Sequence, residues 1–248
     1  MIDEELLGVK IRRAGKNFRV SLLGGPSQGL VAWKRTLAKL IDDKVLLEPE
    51  AGKALMQRDG DVTVYEVMNL SKSLPALKAI DSKVKVACDI TLLNYGIISA
   101  TDTGELFMTY GHDHEKPFGE VYSVLAGSGF LMLYQPGTNV SRAVSMRKGD
   151  EYYIPPGWVH RSYCGDEGMV LVGFVPHEAG HNYDAVKGKG FPYHIFYDEA
   201  KQEAFFRHNP GFGKSELQVL RAKKRPIGAM EKYLVAPEEL RRLLEMRV

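Results

Sequence analysis

From about residue 84 onward, short apolar runs alternate with breakers. KVKVACDITLLNYGIIS, GELFMTYG, VYSVLAG, GFLMLYQPG, SRAVSM, DEYYIPPG and MVLVGFVP are rich in Val, Leu, Ile, Tyr and Phe, with Gly, Pro, Asp and Asn between them. Runs of this kind predict an antiparallel all-β sandwich or barrel. DVTVYEVMNL reads as one further strand ahead of them, and LPALKAI as a brief helical or turn segment. The first third is mixed. LVAWKRTLAKLIDDKVLLEP (30–49) has apolar positions at helical spacing, PEAGKALMQR (49–58) reads as a short helix opened by Pro49, and GGPSQG (24–29) reads as a loop. APEELRRLLEM is a terminal helix: Pro237 stands near its start, acids fill the first turn, and Leu240, Leu243 and Leu244 share a face. That face must dock on the barrel or on a second subunit. The pattern divides the chain into an N-terminal extension (1–60), a β domain (61–198) and a C-terminal extension (199–248), with mixed α/β segments at both ends.

Composition narrows the partners. The chain has 248 residues, 44% apolar and 26% charged, enough to bury a substantial core. A formal net charge of +2 excludes a strongly basic nucleic-acid binder, and the RAKKR cluster (221–225) reads as a solvated face. No apolar run approaches the ~18 residues of a membrane span, and MIDEELLGVKIRR lacks a signal-peptide pattern. Cys88 and Cys164 are too few for a disulfide framework, so a cytoplasmic protein is expected. GGPSQG lacks the GxxxxGK[ST] pattern of a phosphate loop.

The chemistry concentrates in FMTYGHDHEKPFGEVY (107–122). In a strand, His112 and His114 project from one face, and Glu120 and Tyr122 do the same on a returning strand beyond the EKPFG turn. The expectation is a β-hairpin bringing two imidazoles and a carboxylate to one wall of a barrel. DEYYIPPGWVHRSYC bends at Pro155, Pro156 and Gly157 and supplies His160. Three imidazoles and a carboxylate form a mixed nitrogen and oxygen set with open positions, suited to one divalent Fe, Mn, Ni, Co or Zn ion rather than to a closed structural zinc site. Alternation turns Arg161 away from the metal and leaves it as a rim residue. His177, His194 and His208 have no partner pattern and read as structural or surface residues.

These motifs resemble the cupin superfamily. His112, His114, Glu120 and Gly127 match its first motif; Gly149, Pro155, Gly157 and His160 match its second. The early glycine of the first motif is out of register, and Cys164 stands where an asparagine is frequent. TYGHDH, EVYSVLAGSG, YYIPPGWVHRSY and GFVPHEAGHNY resemble more narrowly the cupin-type phosphoglucose isomerases of archaea and some bacteria, over roughly 60–197. The resemblance implies a cupin (double-stranded β-helix, jelly-roll) barrel and a homodimer. It also implies a metal-dependent glucose-6-phosphate isomerase of glycolysis and gluconeogenesis. It makes His112, His114, Glu120 and His160 the metal ligands. Tyr65, Thr91, Thr109 and Gly111 become substrate-binding residues, and Glu120, Tyr122 and His181 catalytic candidates, by an enediol or a hydride-shift route. Two other readings fit the same motifs. One is another metal cupin enzyme, acting on a different sugar phosphate or as an Fe(II) dioxygenase; the other is a non-catalytic phosphosugar-binding cupin.

Overall fold

The computed structural model describes residues 7–23, 30, 32–99, 101–224 and 228–246; the GGPSQG segment and Arg225 of the basic cluster lie outside them. A hairpin of β1 (Val9–Ala14) and β2 (Asn17–Leu22) comes first. It is followed by β3 (Ala32–Thr36), α1 (Leu37–Asp42), α2 (Pro49–Asp59), β4 (Thr63–Asn69), α3 (Leu70–Ser73) and α4 (Pro75–Val84). The β-rich part holds β5 (Val86–Leu93), β6 (Ile97–Ile98), β7 (Thr103–Leu106), β8 (Glu120–Tyr134), β9 (Val140–Arg147), β10 (Glu151–Ile154), β11 (Val159–Pro176), β12 (Tyr193–Asp198) and β13 (Glu203–His208). The chain ends with β14 (Glu216–Arg221), α5 (Ala229–Val235) and α6 (Pro237–Glu245).

The large sheet runs β14-β9-β8-β11-β5-β4-β3, with β10 paired to the Glu120 end of β8. A smaller sheet runs β13-β12-β7-β6. Between the two lies one apolar core, including Leu93, Leu106, Leu131, Val159, Phe191 and Ile195. This mostly-β, two-sheet body agrees with the expected jelly-roll barrel. A second core lies on the other face of the large sheet, where Cys88, Ile90 and Val172 meet Leu77, Tyr233, Leu240 and Leu244 of α4, α5 and α6. The alternation along β5 explains the split: Cys88 and Ile90 go to the outer core, Leu93 goes to the inner one, and Asp89 and Thr91 line an inner cavity.

The terminal helix docks on its own barrel. Leu244 O accepts from Gly119 N at 2.8 Å, and Arg241 Nη1 donates to Glu178 and to Lys85 O. LVAWKRTLAKLIDDKVLLEP is not one helical stretch. Residues 32–36 form the edge strand β3 against β4, and helix begins only at Leu37. In this segment inward-facing Trp33 and Arg35 alternate at strand spacing, and pairing with β4 wins over the helical pattern that follows it.

Candidate metal centre

Two backbone bridges set the ligands. His112 N donates to His160 O at 3.1 Å and His160 N to His112 O at 2.9 Å, which locks the first histidine segment to the start of β11. Asp113 pairs in the same way with Asn182. The HDH stretch is therefore threaded between β11 and the 181–183 loop. It forms no hairpin with the Glu120 strand, because its backbone groups already pair with His160 and Asn182 and Glu120 lies opposite Ile154 of β10. Gly111 makes the entry possible. Its φ is +88°, and a Cβ there would sit 2.7 Å from Phe191 Cε2 and 3.0 Å from His160 O.

One nitrogen from each of His112, His114 and His160 and one oxygen of Glu120 all lie within 4.8 Å of one another. Glu120 Oε2 is 3.3 Å from His114 Nε2 and 3.0 Å from His160 Nε2. Those three atoms and His112 Nε2 are buried without a hydrogen-bond partner of acceptable geometry. The reason is chemical. His114 Nδ1 faces Phe118 O at 2.8 Å and His160 Nδ1 faces Trp158 O at 3.2 Å; a carbonyl only accepts, so each Nδ1 carries the proton. In the neutral rings Nε2 then presents a lone pair towards a carboxylate oxygen. Lone pairs converging in a buried place call for a cation, and three imidazoles with one carboxylate suit a divalent metal with open positions.

The electrostatics agree. Burial, with neighbouring His160 adding to it, holds His112 well below its ordinary pKa. Burial acts to lower His114 too, but the hydrogen bond and charge of Glu120 outweigh it and raise that pKa. Burial acts to raise the Glu120 carboxyl, but in the absence of metal protonated His114 and His160 rings would donate to it, and that overrides burial and holds it well below the carboxylate range. His181 is lowered by burial and Tyr122 raised by burial, so at neutral pH they are an imidazole and a phenol.

A cavity of about 400 Å³ opens on this centre, a volume ordinary for a small-molecule site. Tyr65, Thr91, Thr109, Gly111, His112, Glu120, Tyr122, His160 and His181 all line it, and His114 reaches the cluster from beside it. The His181 ring centroid is 4.5 Å from that of His112, and the Tyr122 ring centroid 5.7 Å from that of His160. Thr109 Oγ1 accepts from Ser162 N at 2.9 Å, which leaves its own hydrogen free to donate. Tyr65 Oη accepts from Tyr110 N at 3.3 Å.

Sequence reasoning passed over several residues of the same cavity. Arg35 is the one Lys or Arg among the described residues lining it, with its guanidinium 5.3 Å from the Trp33 ring and 5.1 Å from the Tyr110 ring, and with Nε buried and unpartnered. The helical reading of residues 30–49 hid it. Asp89 also lines the wall, and burial, then the charge of Glu120, pushes its carboxyl up to about 7 although Lys72 and His177 pull the other way. Thr91 two residues on gave the signal for it. Arg161 is not a rim residue: it is buried, with Nη2 donating to Tyr110 O at 2.7 Å and Nη1 to Val45 O at 3.3 Å. At that point β11 is flanked by β8 on one side and the 108–112 segment on the other, so it has no rim there. His177 pairs with Asp81, buried His194 with Glu105, and His208 faces Gly213 O at 3.1 Å.

Comparison with known proteins bears on this geometry. Residues 37–209 match the family described as glucose-6-phosphate isomerase. A glucose-6-phosphate isomerase of Pyrococcus horikoshii is 31% identical over 191 residues, covering 76% of this chain and 88% of the relative. One of Thermococcus litoralis is 32% identical over 161 residues, covering 64% of this chain and 78% of the relative. Among solved structures, an oxalate oxidase in complex with the substrate analogue glycolate is 15% identical, covers 49% of this chain and 55% of that one, and has a TM-score of 0.36.

Proposed function

The chain belongs to the glucose-6-phosphate isomerase family, and from that membership we propose that it interconverts glucose 6-phosphate and fructose 6-phosphate at a divalent-metal centre held by His112, His114, Glu120 and His160. The observation that carries the reading is the convergence of four buried, unpartnered ligand atoms on a cavity that also offers a guanidinium. When bound, the metal supplies Lewis acidity toward the oxygens on C1 and C2. Fe, Mn, Ni, Co and Zn all suit this ligand set.

The protein's own groups do the rest. Arg35, the Thr109 hydroxyl, Thr91 and the open backbone of Gly111 receive the phosphate, with Arg35 providing the charge. Tyr65 closes that end beside Tyr110. His181, neutral because burial lowers it, takes a proton from one sugar oxygen and returns it to its neighbour; Tyr122 donates from its un-ionised phenol. A Glu120 carboxylate committed to a bound metal would be a weak base toward carbon. Of the two routes for hydrogen between C1 and C2, the hydride shift asks less of Glu120 than the enediol does.

We take 61–198 as the catalytic unit and 1–60 and 199–248 as extensions, their described parts packed on it, with β3 lending Arg35 to the cavity. A homodimer finds support in the edge strand β14, where Val219 is 63% and Leu220 39% exposed. Among the described residues no helix is long and apolar enough to cross a membrane. We take the cytoplasm as the site of the reaction, where phosphorylated sugars are available.

The test is a coupled assay of fructose 6-phosphate conversion with chelator-stripped protein, resupplied in turn with Fe(II), Mn(II), Ni(II), Co(II) and Zn(II). Turnover restored by metal supports the proposal. Stoichiometric metal binding without turnover overturns it and directs attention to other sugar phosphates and to oxygen uptake.

A further inference from the structure

Asp89 is a carboxylate in a cavity that is to receive a dianion, which needs a reason. Its Oδ1 is buried without a hydrogen-bond partner, and among the described residues no cation pairs with it. A buried acid left without a partner costs stability in either protonation state, so the fold gains nothing from it. Its neighbourhood is open by design. Asp89 and Tyr122 stand in register on either side of Gly173, on β5 and β8. A Cβ at Gly173 would lie 3.0 Å from Glu120 Oε1 and 3.0 Å from Tyr122 Cε1. The missing side chain joins Asp89 to the metal end of the cavity.

Arg35 lies at the far end of the same wall. The rows of the sheet pair Asp89 with Asn69, Thr91 with Val67 and Trp33, and Leu93 with Tyr65 and Arg35. Arg35 is thus two strands across from Asp89 and two side-chain rows along, about 10 Å by about 13 Å between backbones. An acid and a guanidinium at that spacing give the cavity a direction: an anionic group is drawn to Arg35, while hydroxyls are welcomed at Asp89.

We propose that Asp89 is a substrate-contacting residue that accepts hydrogen bonds from the hydroxyls at C3 and C4 of the open-chain sugar phosphate, orienting it with C1 and C2 at the metal and its phosphate at Arg35. This rests on the sugar-phosphate reading above. It makes Asp89 a reader of substrate identity, since a sugar phosphate without those hydroxyls leaves the carboxylate unpaired.

The experiment uses metal-loaded full-length protein, wild type, Asp89→Asn and Asp89→Ala. Calorimetric titrations employ glucitol 6-phosphate, which carries the hydroxyls and cannot react, and inorganic phosphate. Expected is a loss of about tenfold or more in glucitol 6-phosphate affinity for Asp89→Ala. Partial recovery in Asp89→Asn, phosphate binding equal to or tighter than wild type, full metal content and an unchanged or higher Tm complete the expectation. In turnover the loss falls on KM for fructose 6-phosphate more than on kcat. Equal affinities for both probes in all three proteins overturn the proposal, as does a fall in Tm with loss of metal, which would make Asp89 structural. Wild-type protein that binds glucitol 6-phosphate yet never isomerises fructose 6-phosphate sinks the isomerase reading alone, and the Asp89 contact is then decided by the same titrations.

Discussion

The two ends of the cavity were assembled by different means. At the metal end, three of the four candidate ligands fall within nine residues of sequence, 112–120, and the fourth is fixed to the first by a pair of backbone hydrogen bonds. At the far end, Trp33, Arg35, Tyr65 and Thr91 come from three adjacent strands, and only sheet pairing brings them together. The first end is local chemistry with a recognisable spacing. The second is tertiary, built from an edge strand supplied by the first sixty residues. It follows that the metal end should respond to changes in an all-or-none way and the far end by degrees.

At the far end the largest effect should come from Arg35. Arg35→Ala removes the cavity's single cationic side chain among the described residues, and a charge-assisted contact is worth roughly 1.5–3 kcal/mol. Steady-state kinetics should show kcat/KM for fructose 6-phosphate falling by about 10- to 100-fold, mostly through KM, with Arg35→Lys between. Unchanged metal content would confirm that the ends are separable; lost metal would break the comparison.

Next is pH. His114 has a raised pKa, so the proton it must give up to bind metal is held more tightly than in a free imidazole. Metal affinity should therefore fall as pH drops through and below the raised pKa, approaching about tenfold per pH unit for one displaced proton. Without metal the sign reverses. The His114–Glu120 pair contributes stability that is fully present below the unfolded histidine pKa of about 6.5 and is lost as pH rises through the folded value. Thermal melts of stripped and loaded protein should thus respond oppositely to a rise from about pH 6 to pH 8 as far as this pair is concerned. Parallel curves would mean that the pair does not hold the proton.

The smallest effect on the site should come from the outer core. Leu240→Ala empties a buried position beneath α6, and such a truncation costs about 2–5 kcal/mol. The loss should appear in chemical denaturation, while KM of the folded protein stays within about twofold. A larger KM change would show that α6 acts on the cavity, through its contact from Leu244 O to Gly119 N.

What the sequence revealed follows the same division. The alternation along β8 and β11, the HDH pair, Glu120 and the PPG bend before His160 are carried by residues close in the chain, and they announced both the barrel and the side chains that converge as candidate ligands. The expected hairpin did not form, because strand periodicity tells which face a side chain takes and not which strand lies opposite. Arg35 was hidden by the apolar residues of α1, whose helical spacing runs on from β3 without a break. Asp89 was within reach, since Thr91 and Asp89 share a face at i and i+2, but nothing local distinguishes a carboxylate in a cavity wall from one in solvent. Arg161 misled for a similar reason: alternation turned it off the metal, and only the packed strands on both sides show that the other direction is core.

The most direct test of the account is turnover measured against bound metal in the same samples. Stripped protein would be titrated with one active divalent ion, occupancy read by elemental analysis and fructose 6-phosphate conversion assayed at each point, with His160→Ala carried through in parallel. The account predicts activity rising in proportion to occupancy up to one ion per chain, and neither metal nor turnover in the variant. Full turnover in stripped protein, or in His160→Ala, would contradict it.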